Sequence, residues 1–552
     1  MELKKGSTYL KLMTFLAAYL IMSVPVVNGC PTNCDCNWHY VDCASKNLER
    51  IPVGLPDTAT ALFLSGNNIK VIEEYAFANL RILERIRLMS NKISNIKQNA
   101  FRGLIKLTSL RLAFNALTVI STGMFVGLDS IDYLSCRSNN ISVIENDAFD
   151  KNSPLARLKL SSNKIREVEV YAFANLRNLE ELDLRGNEIS TIRQIVFSSL
   201  IKLKQLYLSS NKIRVVEEYT FARLTKLEKL DLDYNEISII KPYAFRSLVN
   251  LKELYLSGNK IQVVDEYTFA NLRNLDQLYL NGNNISLIEH GAFDEHQSLT
   301  SLFLGYNKIH VVEEYTFANM QNLNKLQLNN NKIYSVKQNA FVSLVKLKEL
   351  YLQNNALTVI NTGQFFALDK LIVLDLSGNS ISLIENDAFG RNPSLSRLDL
   401  LSNPLNCGCR IKPLWAWLTN HTGLGTSAKC SDGTDVLNIT QSDFSRCIPF
   451  TYQCFNGGIC TLGGFVDYVC SCVGAWTGER CFDSHCASYN CEKDTCYVEP
   501  NNGSAECFSH HDTCPSKLFN ATVIYLWRHL TKYIYIAILL STLKCLNEVY
   551  KR

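Results

Sequence analysis

The stretch Leu251–Leu272 reads LKELYLSGNKIQVVDEYTFANL, with framework residues Leu251, Leu254, Leu256, Asn259, Ile261, Phe269 and Leu272. The same framework returns every 24 residues. An asparagine recurs from Asn67 through Asn91, Asn115 and Asn139 to Asn403, fifteen times in register, and a phenylalanine from Phe77 to Phe389, fourteen times. A register held that strictly means one structural unit stacked on itself, hence a solenoid. The short Leu-x-Leu run has the two-residue period of a strand. A lone unit of this size cannot bury its leucines, so neighbouring units must stack and pair their strands into a parallel sheet. Fifteen strands at about 4.8 Å spacing give a sheet roughly 70 Å along its arc.

Each recurring asparagine stands where the chain leaves the strand, and its amide can both donate to and accept from backbone groups that a turn leaves unpaired. Stacked turns then make a buried polar ladder. The phenylalanines fall at one point of the other half of the unit, where each ring can bury about 150 to 250 Å² against its neighbour. Both sets are structural. Longer copies overlie this period: "NKISNIKQNAF" at Asn91 returns as "NKIYSVKQNAF" at Asn331, ten units later, and "EEYTF" occurs at Glu217 and Glu313 with "DEYTF" at Asp265 between them.

The frame LxxLxLxxNxI, followed by a looser half ending in AFxxL, resembles the leucine-rich repeat. The resemblance implies an α/β solenoid, a horseshoe with a parallel β-sheet on its concave face. Residues 1–29 carry Lys4, Lys5 and Lys11, an apolar run from Leu12 to Val27, and Val27 and Gly29 before Cys30. They read as a cleaved signal peptide. Twenty cysteines, nearly all at the two ends of the repeats, fit an oxidising compartment.

Cys30, Cys34, Cys36 and Cys43 match the spacing of an N-terminal cysteine cap, residues 30–56, before repeats at 57–403. "NPLNCGCRIKPLWAWL", with Cys407, Cys409, Cys430 and Cys447, resembles a C-terminal cap at 404–447. An end repeat exposes leucines, and a small disulfide-stapled cap can cover them. Cys454, Cys460, Cys470, Cys472 and Cys481 resemble an EGF-like module at 448–482. Its first cysteine would be Cys447, which the cap also requires, so the pairing of Cys447 and Cys460 stays open among the cysteines of the segment 483–517. Cys136 stands alone inside the repeats at a leucine position and reads as a buried thiol. The tail, 518–552, has an uncharged run of only Tyr533–Leu543, short of the roughly 20 residues of a membrane span. It reads as a single span, an interfacial helix or a secreted tail.

Function points to the sheet's open face, because side chains alternate across a strand. Its N-terminal third is basic, with Arg85, Arg87, Arg111 and Lys159, and its middle aromatic, with Tyr207, Tyr234, Tyr255, Tyr279, Phe303, Tyr306 and Tyr351. Rigid tyrosine and arginine favour protein interfaces. Six sequons, at Asn140, Asn284, Asn420, Asn438, Asn502 and Asn520, provide glycosylation sites. No nucleophile elbow, zinc-helix motif or phosphate loop occurs, so neither catalysis nor a cofactor or metal is expected. A formal net charge of +4 gives no reason to expect nucleic acid as a partner.

Residues 30–481 together resemble the Slit and related secreted or cell-surface leucine-rich-repeat proteins. That resemblance implies an extracellular protein ligand or receptor held on the concave face, in a recognition, adhesion or guidance role. Two alternatives remain: a matrix protein binding sulfated glycosaminoglycan through the basic third, or an immune recognition receptor, since lamprey variable lymphocyte receptors share the capped architecture.

Overall fold

A computed structural model describes residues 29–444, apart from Trp38, Ile195 and Arg391, and the backbone of six short strands between 459 and 508. The signal peptide, the apolar tail, Cys447, Asn502 and Asn520 lie outside the described residues. In the unit running to Thr440, three-residue strands, one per repeat, pair in parallel from Ala61–Phe63 to Arg397–Asp399. Every pairing steps by 24 residues, as in Leu230 with Leu254 and Leu254 with Leu278. This solenoid of fifteen turns is the expected horseshoe fold, with disulfides at both ends. The other half of each unit is made of turns and, in many units, a two-residue strand such as Val71–Ile72 or Val263–Val264. Among the described residues, the one α-helix is α1 (Lys412–Asn420), beyond the repeats.

The leucines, isoleucines and phenylalanines of the framework are almost wholly buried. Each framework asparagine ties the backbone of its own unit to that of the unit before it. Asn259 Oδ1 accepts from the Ile237 amide at 2.9 Å, while its Nδ2 donates to the Leu232 and Leu256 carbonyls at 2.9 and 3.1 Å. The same set recurs to Asn403. The phenylalanine rings stack in two series, Phe77 to Phe173 and Phe197 to Phe389, with centroids about 6 Å apart, as for Phe77 and Phe101 at 5.9 Å. This is the offset spacing that aromatic quadrupoles prefer.

Both ends are covered. The hairpin of Asp35–Cys36 with Tyr40–Asp42, stapled by Cys30–Cys36 and Cys34–Cys43, adds one more strand beside the first repeat, with Val41 facing Leu62. At the other end Cys407 bonds Cys430, and Cys409 is also disulfide-bonded. Pro413 stands in the first turn of α1, where its missing N–H costs nothing, and Leu414 and Leu418 are buried. Trp417 then closes the phenylalanine stack by packing 5.0 Å from Phe389. Cys136 is fully buried, and burial pushes its thiol up to about 12, so it is a core filler.

The unit from Gln441 onward has two antiparallel pairs in which cysteines face each other in register. Ile459–Gly463 pairs with Asp467–Ser471, setting Cys460 opposite Cys470, and Thr495–Val498 pairs with Ala505–Phe508, setting Cys496 opposite Cys507.

Candidate functional site on the concave face

The strand geometry sets two side chains per unit on the open face, one on each side of the buried central leucine. In Arg85–Arg87 both arginines are exposed and Ile86 is buried. Because the register never shifts, equivalent residues form straight rows across the sheet. In the middle row, Tyr255 and Tyr279 stack with centroids 4.4 Å apart and Tyr279 and Phe303 at 4.3 Å, nearly parallel. Close strand spacing forces this contact, since identical positions on paired strands lie within a ring's thickness or two of each other.

The parallel row, two residues earlier, holds the rings in place. The Tyr255 hydroxyl donates to Glu253 at 2.8 Å, the Tyr279 hydroxyl to Gln277 at 2.6 Å and the Tyr351 hydroxyl to Glu349 at 3.1 Å. Lys229 bridges Glu253 at 2.7 Å and caps the Tyr255 face at 4.6 Å from its centroid; Lys325 treats Glu349 and Tyr351 likewise. Burial by itself lowers the Lys229 ammonium, but its bonds to Glu253 and Tyr255 raise it overall. Burial and the Glu253 carboxylate push the Tyr255 phenol up to about 12, so it stays a neutral donor. Asp233, desolvated and beside Asp231, is pushed up to about 6. These bracketing residues carry the same 24-residue period, two places before the residue inside each Leu-x-Leu, so the period is the signal that locates them.

Tyr234 and Tyr306 lie just past the strands and are the most open aromatics of the group, 67% and 63% exposed. Their backbone is left-handed, with φ of 52° and 55°. Five other units place glycine at this turn, Gly66, Gly186, Gly258, Gly282 and Gly378, and the other eight hold serine, asparagine or, at Phe114, an aromatic ring in the same left-handed conformation. A side chain there costs about 1 to 2 kcal/mol. The Tyr234 ring lies over Gly258, where a Cβ would come within 2.6 Å of it.

The basic third divides. Arg85, Arg87 and Arg111 have no ion pair among the described residues; Arg87 lies over Phe63 and Arg111 over Tyr133, at 4.7 and 5.3 Å. Lys159 is bound inward, paired with Glu181 and 4.0 Å from Asp183, and Tyr207 is covered by Arg185 at 4.7 Å. Ser135, Asp183 and Asp375 also occupy the open-face row but are buried by their neighbours. The side chains of Asn140, Asn420 and Asn438 are exposed, and that of Asn284 is half-buried. Among the described residues no cluster of His, Cys, Asp and Glu could hold a metal, and no helix is long and apolar enough to cross a membrane.

The sequence pattern described as "Leucine rich repeat" matches in five overlapping stretches between residues 153 and 405, and a "BspA type Leucine rich repeat region" matches residues 62–180. Zebrafish leucine-rich repeat-containing protein 3 is 39% identical over 93 residues, 16% of this chain and 35% of that protein. Human leucine-rich repeat-containing G-protein coupled receptor 5 is 36% identical over 87 residues, 15% of this chain and 10% of the receptor, and rat reticulon-4 receptor-like 1 is 31% identical over 107 residues, 19% and 23%. The chain thus spans about a third or less of these relatives. A solved leucine-rich-repeat protein of Leptospira interrogans superposes with a TM-score of 0.51 at 26% identity, covering 62% of this chain and 90% of that one. Drosophila Toll, solved with Spätzle in glycosylated form, shares the fold, with a TM-score of 0.59 at 22% identity over 77% of this chain and 62% of that one.

Proposed function

Because this chain belongs to the leucine-rich-repeat family, we propose that it is an extracellular or cell-surface binding protein whose concave face holds a protein ligand or receptor. The carrying observation is the stacked plate Tyr255–Tyr279–Phe303, flanked by Tyr234 and Tyr306. Stacking rings on an open sheet buries little of the core, and at a turn where most units place glycine, serine or asparagine, Tyr234 and Tyr306 hold large rings out in solvent. Large rigid rings left open on such a face are what protein interfaces use as anchors, which supports contact with something outside the fold. The receptor names among the relatives agree with this reading, as does the prediction of a secreted chain with caps at 30–56 and 404–447 and an EGF-like module at 448–482. A general recognition or adhesion role is the core of the proposal. No catalytic family is indicated by the matches.

The test is affinity capture of extracellular proteins with the full chain, followed by titration of the captured partner. Tyr255→Ala and Tyr279→Ala should each weaken binding by about 1 to 4 kcal/mol while leaving the denaturation midpoint of the solenoid nearly unchanged. Unchanged affinity in both variants moves the site off this face. A second reading rests on Arg85, Arg87 and Arg111, whose lack of carboxylate partners leaves three cations on adjacent strands for a sulfated glycosaminoglycan. Heparin binding that falls steeply with salt and with Arg87→Ala would support it; salt-insensitive binding of a protein partner favours the aromatic plate.

A further inference from the structure

The chain carries an internal comparison away from the concave face. The turns at Lys97–Gly127 and Lys337–Ala367 are copies displaced by 240 residues, sharing Lys-Gln-Asn at 97–99 and 337–339 and Thr-Gly at 122–123 and 362–363. Both copies keep one hydrogen-bond frame: the Thr122 amide donates to Glu145 at 2.8 Å, and the Thr362 amide to Glu385 at 2.9 Å.

Two differences change what lies between the units. The first copy has Gly127, with φ of 93°, where a Cβ would lie 2.8 Å from the Arg102 Cα and 2.9 Å from the Phe101 carbonyl, so successive turns close upon each other. Ala367 occupies this place in the second copy, and its methyl forbids so close an approach. The first copy also fills its turn with buried Met124. The second has Gln364, whose amide is held by its own backbone surroundings: Nε2 donates to the Val336 carbonyl at 3.3 Å and Oε1 accepts from the Asn361 amide at 2.9 Å. Between the turns of the second copy lies a cleft of about 430 Å³, within the size range of small-molecule sites.

The cleft's lining is mixed. Phe366 contributes a ring 72% exposed, where the first copy has the smaller Val126. Asn361 and Gln338 bring side-chain amides, and Lys337 and Glu385 bring one charge of each sign. An apolar plate beside amides, with charges that cancel, matches a ligand that has one C–H face, an edge of hydroxyls and no net charge. We propose that this cleft, on the side of the solenoid away from the sheet, binds the neutral pyranose ring of a glycan. Its C–H face lies against Phe366, and its hydroxyls meet the amides and the Glu385 carboxylate. The site is independent of the concave-face reading.

The test is saturation-transfer NMR on the full chain with methyl β-galactoside, methyl α-mannoside and N-acetylglucosamine, and with N-acetylneuraminic acid as the charged comparison. At least one neutral pyranoside should bind more tightly than the acid. The double variant Gln364→Met with Ala367→Gly restores residues that the chain already uses in its first copy, so it should fold with an unchanged melting temperature and lose the signal. Phe366→Ala should weaken binding about tenfold or more. Binding by none of the neutral probes, a preference for the acid, or full binding by the folded double variant would each overturn the proposal.

Discussion

The structure predicts unequal costs for removing different members of the asparagine ladder. Asn259 and Asn355 make the same three hydrogen bonds at nearly the same lengths, from Ile237 to Leu232 and Leu256 in one case and from Ile333 to Leu328 and Leu352 in the other. Asn259 is buried, 6% exposed, whereas Asn355 is half-buried. Replacing either by alanine orphans one amide and takes one of two asparagine donors from each carbonyl, since Leu232 and Leu256 also accept from Asn235 and Asn283, and Leu328 and Leu352 from Asn331 and Asn379. Each group left unsatisfied in the interior costs about 1 to 3 kcal/mol. With about 0.5 to 1.5 kcal/mol for each of the two bonds lost at the carbonyls, Asn259→Ala should lose about 2 to 5 kcal/mol, at the upper end of single substitutions. Water can reach the orphaned Ile333 amide beside position 355, so Asn355→Ala should lose only about 1 to 2 kcal/mol. A solenoid opens locally as well as globally, so native-state hydrogen exchange is the suitable assay. The Leu254 amide, in the paired strand beside Asn259, should gain more exchange in Asn259→Ala than the equivalent Leu350 amide gains in Asn355→Ala. Equal acceleration in the two variants would refute the idea that burial sets the cost.

The pH dependence and the buried thiol supply two more predictions. His296 is buried edge-on against Phe269 and Phe293, at 6.3 and 6.0 Å, and neither ring nitrogen makes a well-formed hydrogen bond, although the carbonyls of those residues favour the charged form slightly. Burial lowers its pKa below the ordinary value of about 6.5, so the unfolded chain takes the proton first and stability should fall as pH drops below about 6.5. Asp233, raised to about 6, acts in the opposite sense, giving stability back as pH falls from about 6 towards 4. His296→Leu should remove the first effect and Asp233→Asn the second, read from denaturant midpoints between pH 4 and 8; an acid-side slope unaltered by His296→Leu would show that the imidazole is not its source. Native Cys136 should resist thiol reagents until the chain is denatured, and Cys136→Leu should change stability by less than about 1.5 kcal/mol. Rapid labelling of the native chain would contradict its burial.

The fold was legible because its cause is local and repeated. Asn259, Phe269 and Leu254 each do one job that the next unit copies, so period alone places them in ladder, stack and core. Trp417 was found beside the second cysteine pair, but its seat against Phe389 follows only from the stacking of the final unit. The open face was legible in outline and not in detail. Lys159 reads as a free cation in sequence, yet its partner Glu181 lies 22 residues away, a distance that becomes contact only when neighbouring strands align. Asp183 is shielded by Arg185 and Lys159 for the same reason. The left-handed backbone of Tyr234 and Tyr306 is invisible without backbone angles, although glycine at Gly258 and Gly282 in the matching position points to it.

The fixed step of 24 residues between strands has a consequence for how such a surface can change. Each unit contributes its own pixel to a grid whose pitch is set by backbone pairing, and rewriting one pixel leaves the scaffold beneath it intact. A chain that lengthens by copying whole blocks therefore enlarges its canvas first and can compose a new picture on it afterwards.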